Sequence, residues 1–205
     1  MPETILHSGP GFEISVRDEA KSGIPYGPVD RGNGDQNHGF IDLADRPELA
    51  SSIPEASRSP GLIHLLEVIN QHGSPLMSLG CECGVFETRQ EGNEFPPLYI
   101  GSYIAVAFRS ASANTAKQHE DLACAILGLV KATDQHHVGY NFRITPLWTF
   151  FGHNDCFELE LRPIAYGASE ARAWDGFGYA CDQLAQAIEK LISERDQAKP
   201  LEQAD

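Results

Sequence analysis

The sequence predicts an α+β fold, a two-layer sandwich in which a mainly antiparallel sheet carries helices on one face. Three observations support this prediction. A helical stretch followed by two strand-like stretches occurs twice between Ser59 and Arg195, which predicts two helix-hairpin units. A long amphipathic helix then closes the chain. Of the 205 residues, 41% are hydrophobic, which is enough for one substantial core.

The chain is expected to divide into three parts. Residues 1–58 hold one predicted strand, Phe12–Arg17. The part of this segment that follows the strand is rich in glycine and proline and is here called the arm. This arm is either packed on the core or flexibly joined to it. Residues 59–196 are predicted to form the α+β core domain, and residues 197–205 a flexible polar tail.

The first helix-hairpin unit begins at Ser59, a hydroxyl cap that is followed by a proline suited to the first helical turn. Leucine and isoleucine then recur at helical spacing until Gly73 offers a stop. Alternating apolar residues predict a strand that reaches Val85, a turn at residues 91–94 and a return strand that starts at Leu98.

The second unit begins at Thr115, where Gln118 three residues later indicates a capping box and a broad apolar stripe follows. Residues 140–150 alternate as one strand, residues 152–155 form a turn, and another strand starts at Phe157.

Two predictions concern the faces of these strands. Trp148 is assigned to the apolar face of its strand, together with its even-numbered neighbours. Glu158 and Glu160 alternate with leucine and phenylalanine on the last strand, which predicts that they face water.

The closing helix is predicted over about Ser169 to Arg195. Its apolar residues recur at intervals of three and four, so one side of the helix is expected to cover the sheet. The members of this stripe are Trp174, Phe177, Cys181, Leu184, Ile188 and Leu191.

Charge limits the classes of partner. Fifteen basic residues against 29 acidic residues give a formal net charge of −14. This charge disfavours nucleic-acid binding, because it repels phosphate backbones. It either serves solubility or attracts a basic protein partner. The chain has no apolar run of membrane-spanning length and no basic and apolar leader, so we expect a cytoplasmic protein without membrane association.

The predicted binding surface is the polar face of the sheet. Tyr99 and Tyr103 project from the polar side of their strand, and Arg109 continues the row. Aromatic residues beside arginine are typical of protein interfaces. With Glu158 and Glu160 they are predicted to contact a protein partner, unless a second layer or the arm covers them. An edge strand or this same face also offers a surface on which two copies can pair.

Metal binding has two weak candidates. Cys81 and Cys83 share one strand face, as a metal pair or as core side chains, and no second ligand pair of suitable spacing occurs. Asp35 belongs to an oxygen-rich stretch that lacks the glycine and closing glutamate of a calcium loop, so a polar turn is the other interpretation. No glycine cluster has a phosphate-binding pattern, and no cofactor is predicted.

A catalytic site would have to come from histidine and cysteine. His153, Asp155 and Cys156 lie within four residues, so Asp155 could orient a histidine that activates the thiol. The preceding pair His136 and His137 is expected to lie at the same edge of the sheet. The alternative interpretation is ordinary turn chemistry around a buried cysteine.

Two hypotheses of function follow. The first is a non-enzymatic, acidic cytosolic protein-binding module, an adaptor, inhibitor or immunity-type protein. The second is a small Cys/His-dependent hydrolase or transferase with a site at the edge where His136, His153 and Cys156 would meet.

Overall fold

The computed structural model describes residues 3–30, 32, 36–88, 96–130 and 137–198. Ten strands and three α-helices occur in this part of the chain. The strands are β1 (Glu3–Gly9), β2 (Phe12–Arg17), β3 (Gly23–Ile24), β4 (Val29–Asp30), β5 (Gln36–Asn37), β6 (Leu76–Glu87), β7 (Leu98–Phe108), β8 (His137–Pro146), β9 (Thr149–Phe150) and β10 (Phe157–Gly167). The helices are α1 (Pro60–Asn70), α2 (Ala116–Leu129) and α3 (Glu170–Ala198), with short 3₁₀ helices at Pro47–Ser52, Pro54–Arg58 and Ala111–Ala113.

The fold is α+β, with a six-stranded sheet in the order β1-β2-β8-β10-β7-β6. Its pairings are antiparallel except that between β2 and β8, which is parallel, so the sheet is mixed. This differs from the mainly antiparallel prediction because an N-terminal hairpin adds to the sheet beside β8. The edge strand β1 was not predicted, since nearly all of its residues are exposed and no alternating pattern marks it.

The predicted helix caps are confirmed. The Ser59 side chain accepts a hydrogen bond from the Leu62 N–H, and the Thr115 side chain accepts one from the Gln118 N–H. Both bonds satisfy N–H groups that have no partner within their own helix. Among the residues described, no helix combines the length and the apolar character needed to cross a membrane.

The main core lies between the sheet and residues of all three helices. On α3 the predicted stripe is buried at Phe177, Leu184 and Ile188. Helices α1 and α3 approach closely at Gly61, where an added Cβ would lie 2.3 Å from the Gly178 carbonyl oxygen. The absence of a side chain at this crossing is therefore a packing requirement.

The predicted strand over residues 140–150 is interrupted. Strand β8 ends at Pro146, and Thr149–Phe150 forms a separate strand, β9, which pairs in parallel with Gly23–Ile24. The interruption changes the alternation, because Leu147 is buried while Trp148 is exposed. The prediction that Trp148 lies on the apolar face is therefore wrong.

Candidate functional site

The second face of the sheet, opposite the main core, is partly covered by the arm. Neighbouring residues of β7 point to opposite faces, so Val106 lies in the main core and Ala107 in a second cluster. The buried members of this second cluster are Ile24, Met77, Leu79, Ala105, Ala107, Leu147, Phe150 and Cys156. Tyr26 and Phe40 of the arm pack against it.

Glu158 and Glu160 are buried, which corrects the prediction that their strand has a face open to water. Glu160 exposes 0% of its surface and Glu158 3%. Lys21 of the arm donates from Nζ to Glu160 Oε1 at 3.1 Å. Arg162 donates from Nη1 to Glu160 Oε2 at 2.8 Å, and Arg143 Nη1 lies 3.6 Å from the same oxygen. Alternation identified the face of these residues, but it gave no sign of the arm that covers it.

The two buried carboxyl groups have pKa values shifted in opposite directions. Burial raises the pKa of Glu158 to about 7, and the Glu160 carboxylate beside it adds to the rise. Burial also acts to raise the pKa of Glu160, but Lys21 and Arg162 outweigh it and lower that pKa. A carboxylate with cationic partners keeps its charge, whereas its neighbour tends to keep its proton.

Tyr99 and Tyr103 have different surroundings. Lys21 Nζ lies 4.3 Å from the centre of the Tyr103 ring, and this ring packs against the second cluster. Burial raises the pKa of the Tyr103 hydroxyl. Tyr99 instead stacks on Phe86 with ring centroids 5.3 Å apart, and its centroid lies 5.7 Å from that of Tyr166. Tyr103 is thus at the border of the arm, and Tyr99 belongs to a row of aromatic rings.

Arg109 is a structural clamp instead of a free contact residue. Its Nε donates to the Leu76 carbonyl at 2.9 Å, and its Nη2 donates to the carbonyls of Asn70 and Gln71 at 3.3 and 3.1 Å. Its Nη1 lies 2.8 Å from Asp45 Oδ1, and this bond lowers the pKa of Asp45. The guanidinium therefore joins the end of α1, the start of β6 and the arm, and is not available to a partner.

The paired thiols on β6 belong to the core. Cys81 and Cys83 both pack against the main cluster. Burial raises the pKa of Cys81 to about 12 and that of Cys83 to about 11, which disfavours the thiolate that a metal requires. Within the described residues, no group of three or more His, Cys, Asp or Glu side chains is arranged to hold a metal ion. Asp35 lies outside the described residues.

The thiol of Cys156 is not arranged as a nucleophile. Its Sγ lies 3.7 Å from the Ala111 carbonyl oxygen and 3.6 Å from that of Asn154. Burial raises the pKa of Cys156, the opposite of what activates a thiol. His153 and Asp155 are exposed, whereas the thiol is buried within the second cluster.

His137 is remote from this thiol. It begins β8, whereas Cys156 follows the other end of that strand and directly precedes β10. Ten residues at about 3.3 Å each separate the two ends by roughly 30 Å. His137 therefore does not meet Cys156, and the predicted convergence is wrong for this histidine. His136 lies outside the described residues.

The sequence interpretation missed an exposed surface on residues 147–156, here called the aromatic loop. Trp148 exposes 68% of its surface and Phe151 44%. The ring centroid of Phe40 lies 5.7 Å from that of Phe151, and the adjoining Ile41 is also exposed. One signal was present in the sequence, because the adjacent residues Phe150 and Phe151 cannot both point to one face of a strand.

The aromatic loop is fixed by backbone hydrogen bonds to the arm. The Trp148 N–H donates to the Ser22 carbonyl at 2.8 Å, and the Phe151 N–H donates to the Ile24 carbonyl at 2.7 Å. Phe151 has a φ of 48°, a conformation that is uncommon for a bulky side chain. A surface that is ordered before binding loses less conformational entropy when a partner binds.

Acidic residues border the loop. Asp155 is exposed within it, and Asp18 and Glu19 are exposed shortly before Ser22, the residue that anchors Trp148. Arg17 directly precedes these two residues, and Lys21, which follows them, is bound to the buried Glu160. The exposed aromatic side chains are thus accompanied by negative charge.

No protein-family model matches the chain, and no curated protein and no solved structure shows significant similarity to it. By its fold the chain is an α+β domain with a mixed six-stranded sheet. The function is therefore inferred from the surfaces of this domain, and the aromatic loop is the most distinctive of these surfaces.

Proposed function

We propose that this chain is a non-enzymatic protein-binding module of the cytosol, an adaptor or inhibitor that binds a basic partner through the aromatic loop. The observation that carries the proposal is the exposure of Trp148 and Phe151 on a loop whose backbone is already fixed. Tryptophan is among the residue types most enriched at the energetic centres of protein interfaces.

The exposed area is large enough to matter energetically. An aromatic side chain buries about 150–250 Å² in a core, so covering the exposed two thirds of Trp148 removes on the order of 150 Å² from water. At about 25 cal/mol per Å² this contributes roughly 4 kcal/mol before the costs of association. Phe151 adds a smaller amount, and the two together are sufficient for a binding hot spot.

Charge complementarity selects the kind of partner. The chain carries a formal net charge of −14. Asp155 is exposed within the loop, and Asp18 and Glu19 are exposed a few residues before Ser22, which binds the Trp148 backbone. A basic surface is attracted over a distance of about one Debye length, roughly 8–10 Å at physiological salt. Binding should therefore weaken as the salt concentration increases.

The geometry gives less support to a Cys/His-dependent hydrolase or transferase. Such an enzyme requires a nucleophile within hydrogen-bonding reach of its base. Cys156 is buried, and His137 lies at the far end of β8. Neither His153 nor Cys156 lines any of three pockets found among the described residues.

The test is quantitative affinity capture from an extract of the source cells, with the wild-type chain and Trp148→Ala at low and high salt. We expect a basic protein that wild type retains and that Trp148→Ala loses by at least tenfold. Phe86→Ala is the matched control, because Phe86 is also half-exposed but lies on β6. It should retain the same protein.

The proposal fails if no captured protein depends on Trp148. It also fails if light scattering shows a dimer that Trp148→Ala dissociates, because the loop would then bind a second copy of this chain.

A further inference from the structure

A groove lies between α2 and α3, on the side of the sheet that carries the main core. Each helix contributes four lining residues at positions i, i+3, i+4 and i+7, the spacing of one helical face. These residues are Gln118, Asp121, Leu122 and Ala125 on α2, and Ile188, Leu191, Ile192 and Arg195 on α3. The two faces form opposite walls, and the groove between them has a volume of about 380 Å³, within the range of small-molecule sites.

The body of the groove is apolar. Leu76 and Phe108, which are paired across β6 and β7, line it where the two helices meet the sheet. Leu122 and Leu191 pack against the main core but are only half-buried, so part of each side chain faces the groove. Covering such surface with an apolar group removes it from water, which is favourable. A ligand for this groove therefore needs an apolar part.

The polar lining residues are gathered at one end. Helices α2 and α3 run in opposite directions, because α2 begins beside the first residue of β10, whereas α3 begins after the last residue of β10 and returns along this strand. The contact at the start of α2 is a hydrogen bond of 2.9 Å from the Phe157 N–H to the Asn114 carbonyl. Gln118 and Asp121 in the first turns of α2 therefore lie toward the same end as Arg195 in the last turns of α3.

The charges at this end are balanced, so it favours neither an anion nor a cation. Among the described side chains of this end, three cations stand against three carboxylates. They are Arg195, Lys117 and Lys190 against Glu120, Asp121 and Glu194. The end does offer a hydrogen-bond donor and an acceptor. The exposed Arg195 guanidinium donates, and Asp121, whose Oδ1 lies 2.9 Å from Lys117 Nζ, has room for a further donor.

We propose that this groove binds a neutral amphiphile with an unbranched apolar tail and a primary amide head. The tail lies along the α3 face from Ile188 to Arg195, a length of about 10 Å at the helical rise per residue. At the polar end the amide carbonyl accepts from Arg195, and the amide N–H group donates to Asp121. A carboxylate head would lie beside Asp121 and an ammonium head beside Arg195, so a head of either charge meets repulsion. The groove shares no lining residue with the aromatic loop and does not depend on the proposed protein partner.

The test is a titration of the ¹⁵N-labelled full chain with octanamide, followed by amide chemical shifts. We expect saturable shifts at Ala125 and Leu191 on the two walls, with a Kd of about 1 mM or below. Octanoate and octylammonium have the same tail, and each should bind about threefold more weakly because of its like-charged neighbour. Absence of groove shifts overturns the proposal, and so does equal or tighter binding of either charged compound.

Variants on the two walls locate the site. Ala125→Leu narrows the groove with a residue type favoured in helices and should weaken octanamide binding at least tenfold. Cys124→Leu is the matched control, because it adds the same side chain at the neighbouring exposed position, and it should leave binding unchanged. Arg195→Met keeps an apolar stem but no donor and should weaken binding about threefold, whereas the exposed Arg172→Met should not. A folded Ala125→Leu chain that binds octanamide like the wild type contradicts the proposed location.

The remaining outcome is that a second copy of the chain occupies the groove. Light scattering of the ligand-free protein would then show a dimer that Ala125→Leu dissociates, and this result also overturns the proposal.

Discussion

Replacement of Glu158 by glutamine is predicted to stabilise the fold, and the gain is predicted to increase with pH. Glu158 is buried beside Glu160, and its pKa is raised from 4.5 to about 7. The folded chain therefore holds this proton more tightly than the unfolded chain does. For such a group, the stability present at low pH is lost as pH rises from about 4.5 to about 7, and it stays lost above that range.

The magnitude follows from the shift. One pKa unit corresponds to about 1.4 kcal/mol, so ionising Glu158 in the folded state costs roughly 3 kcal/mol above neutral pH. At pH 5 the cost is only about 1 kcal/mol, because most of the protons are still bound in the folded state. The neutral amide of Glu158→Gln has a similar shape and no charge. The variant should therefore gain on the order of 2 kcal/mol more at pH 8.5 than at pH 5.

The assay is urea unfolding of both proteins at these two pH values, followed by tryptophan fluorescence and extrapolated to water. Glu189→Gln is the control, since Glu189 is an exposed glutamate on α3. Its difference from wild type should be nearly the same at both pH values. If the gain from Glu158→Gln is equal at both pH values, or smaller at pH 8.5, then burial of this carboxyl does not destabilise its charged form.

Three further predictions concern packing, the arginine clamp and the thiols. Gly61→Ala should destabilise the fold by about 2 kcal/mol or more, because the added carbon meets a backbone oxygen of α3. Gly128→Ala has open space in α2 and should stabilise the fold by up to about 1 kcal/mol. Urea unfolding that shows the same sign for both variants contradicts this packing. Arg109→Met should cost about 3 kcal/mol, because it removes three hydrogen bonds to carbonyl oxygens and the ion pair with Asp45. The exposed Arg172→Met should cost less than about 0.5 kcal/mol. Equal effects in thermal unfolding would argue against the clamp. In native buffer Cys124 should be alkylated first of the five cysteines, since it is the exposed one. If mass spectrometry finds another cysteine modified first, the burial of the other four thiols is contradicted.

Several elements could be predicted from the sequence because their signals are local. Ser59 and Thr115 cap helices a few residues away, and the α3 stripe repeats every three to four residues. Strand β7 starts at Leu98, as the alternation of apolar residues predicts.

The candidate site was less predictable, because it depends on contacts between distant residues. Lys21 and Glu160 are 139 positions apart in the chain, and no short-range pattern indicates that one covers the other. Strand alternation assigns a residue to a face, but a face is dry or wet only according to what lies above it. Glu158 and Glu160 were therefore assigned to water although the arm buries them.

The sequence by itself determined the approximate positions of the three α-helices, the helix caps and the acidic charge, since these depend on neighbouring residues and on composition. Only the tertiary structure decided that β2 pairs in parallel with β8, that the arm covers part of the second sheet face, and that Trp148 points into solvent. Pairing and cover depend on the total free energy of many distant contacts, and that sum is not written in any single stretch of the chain.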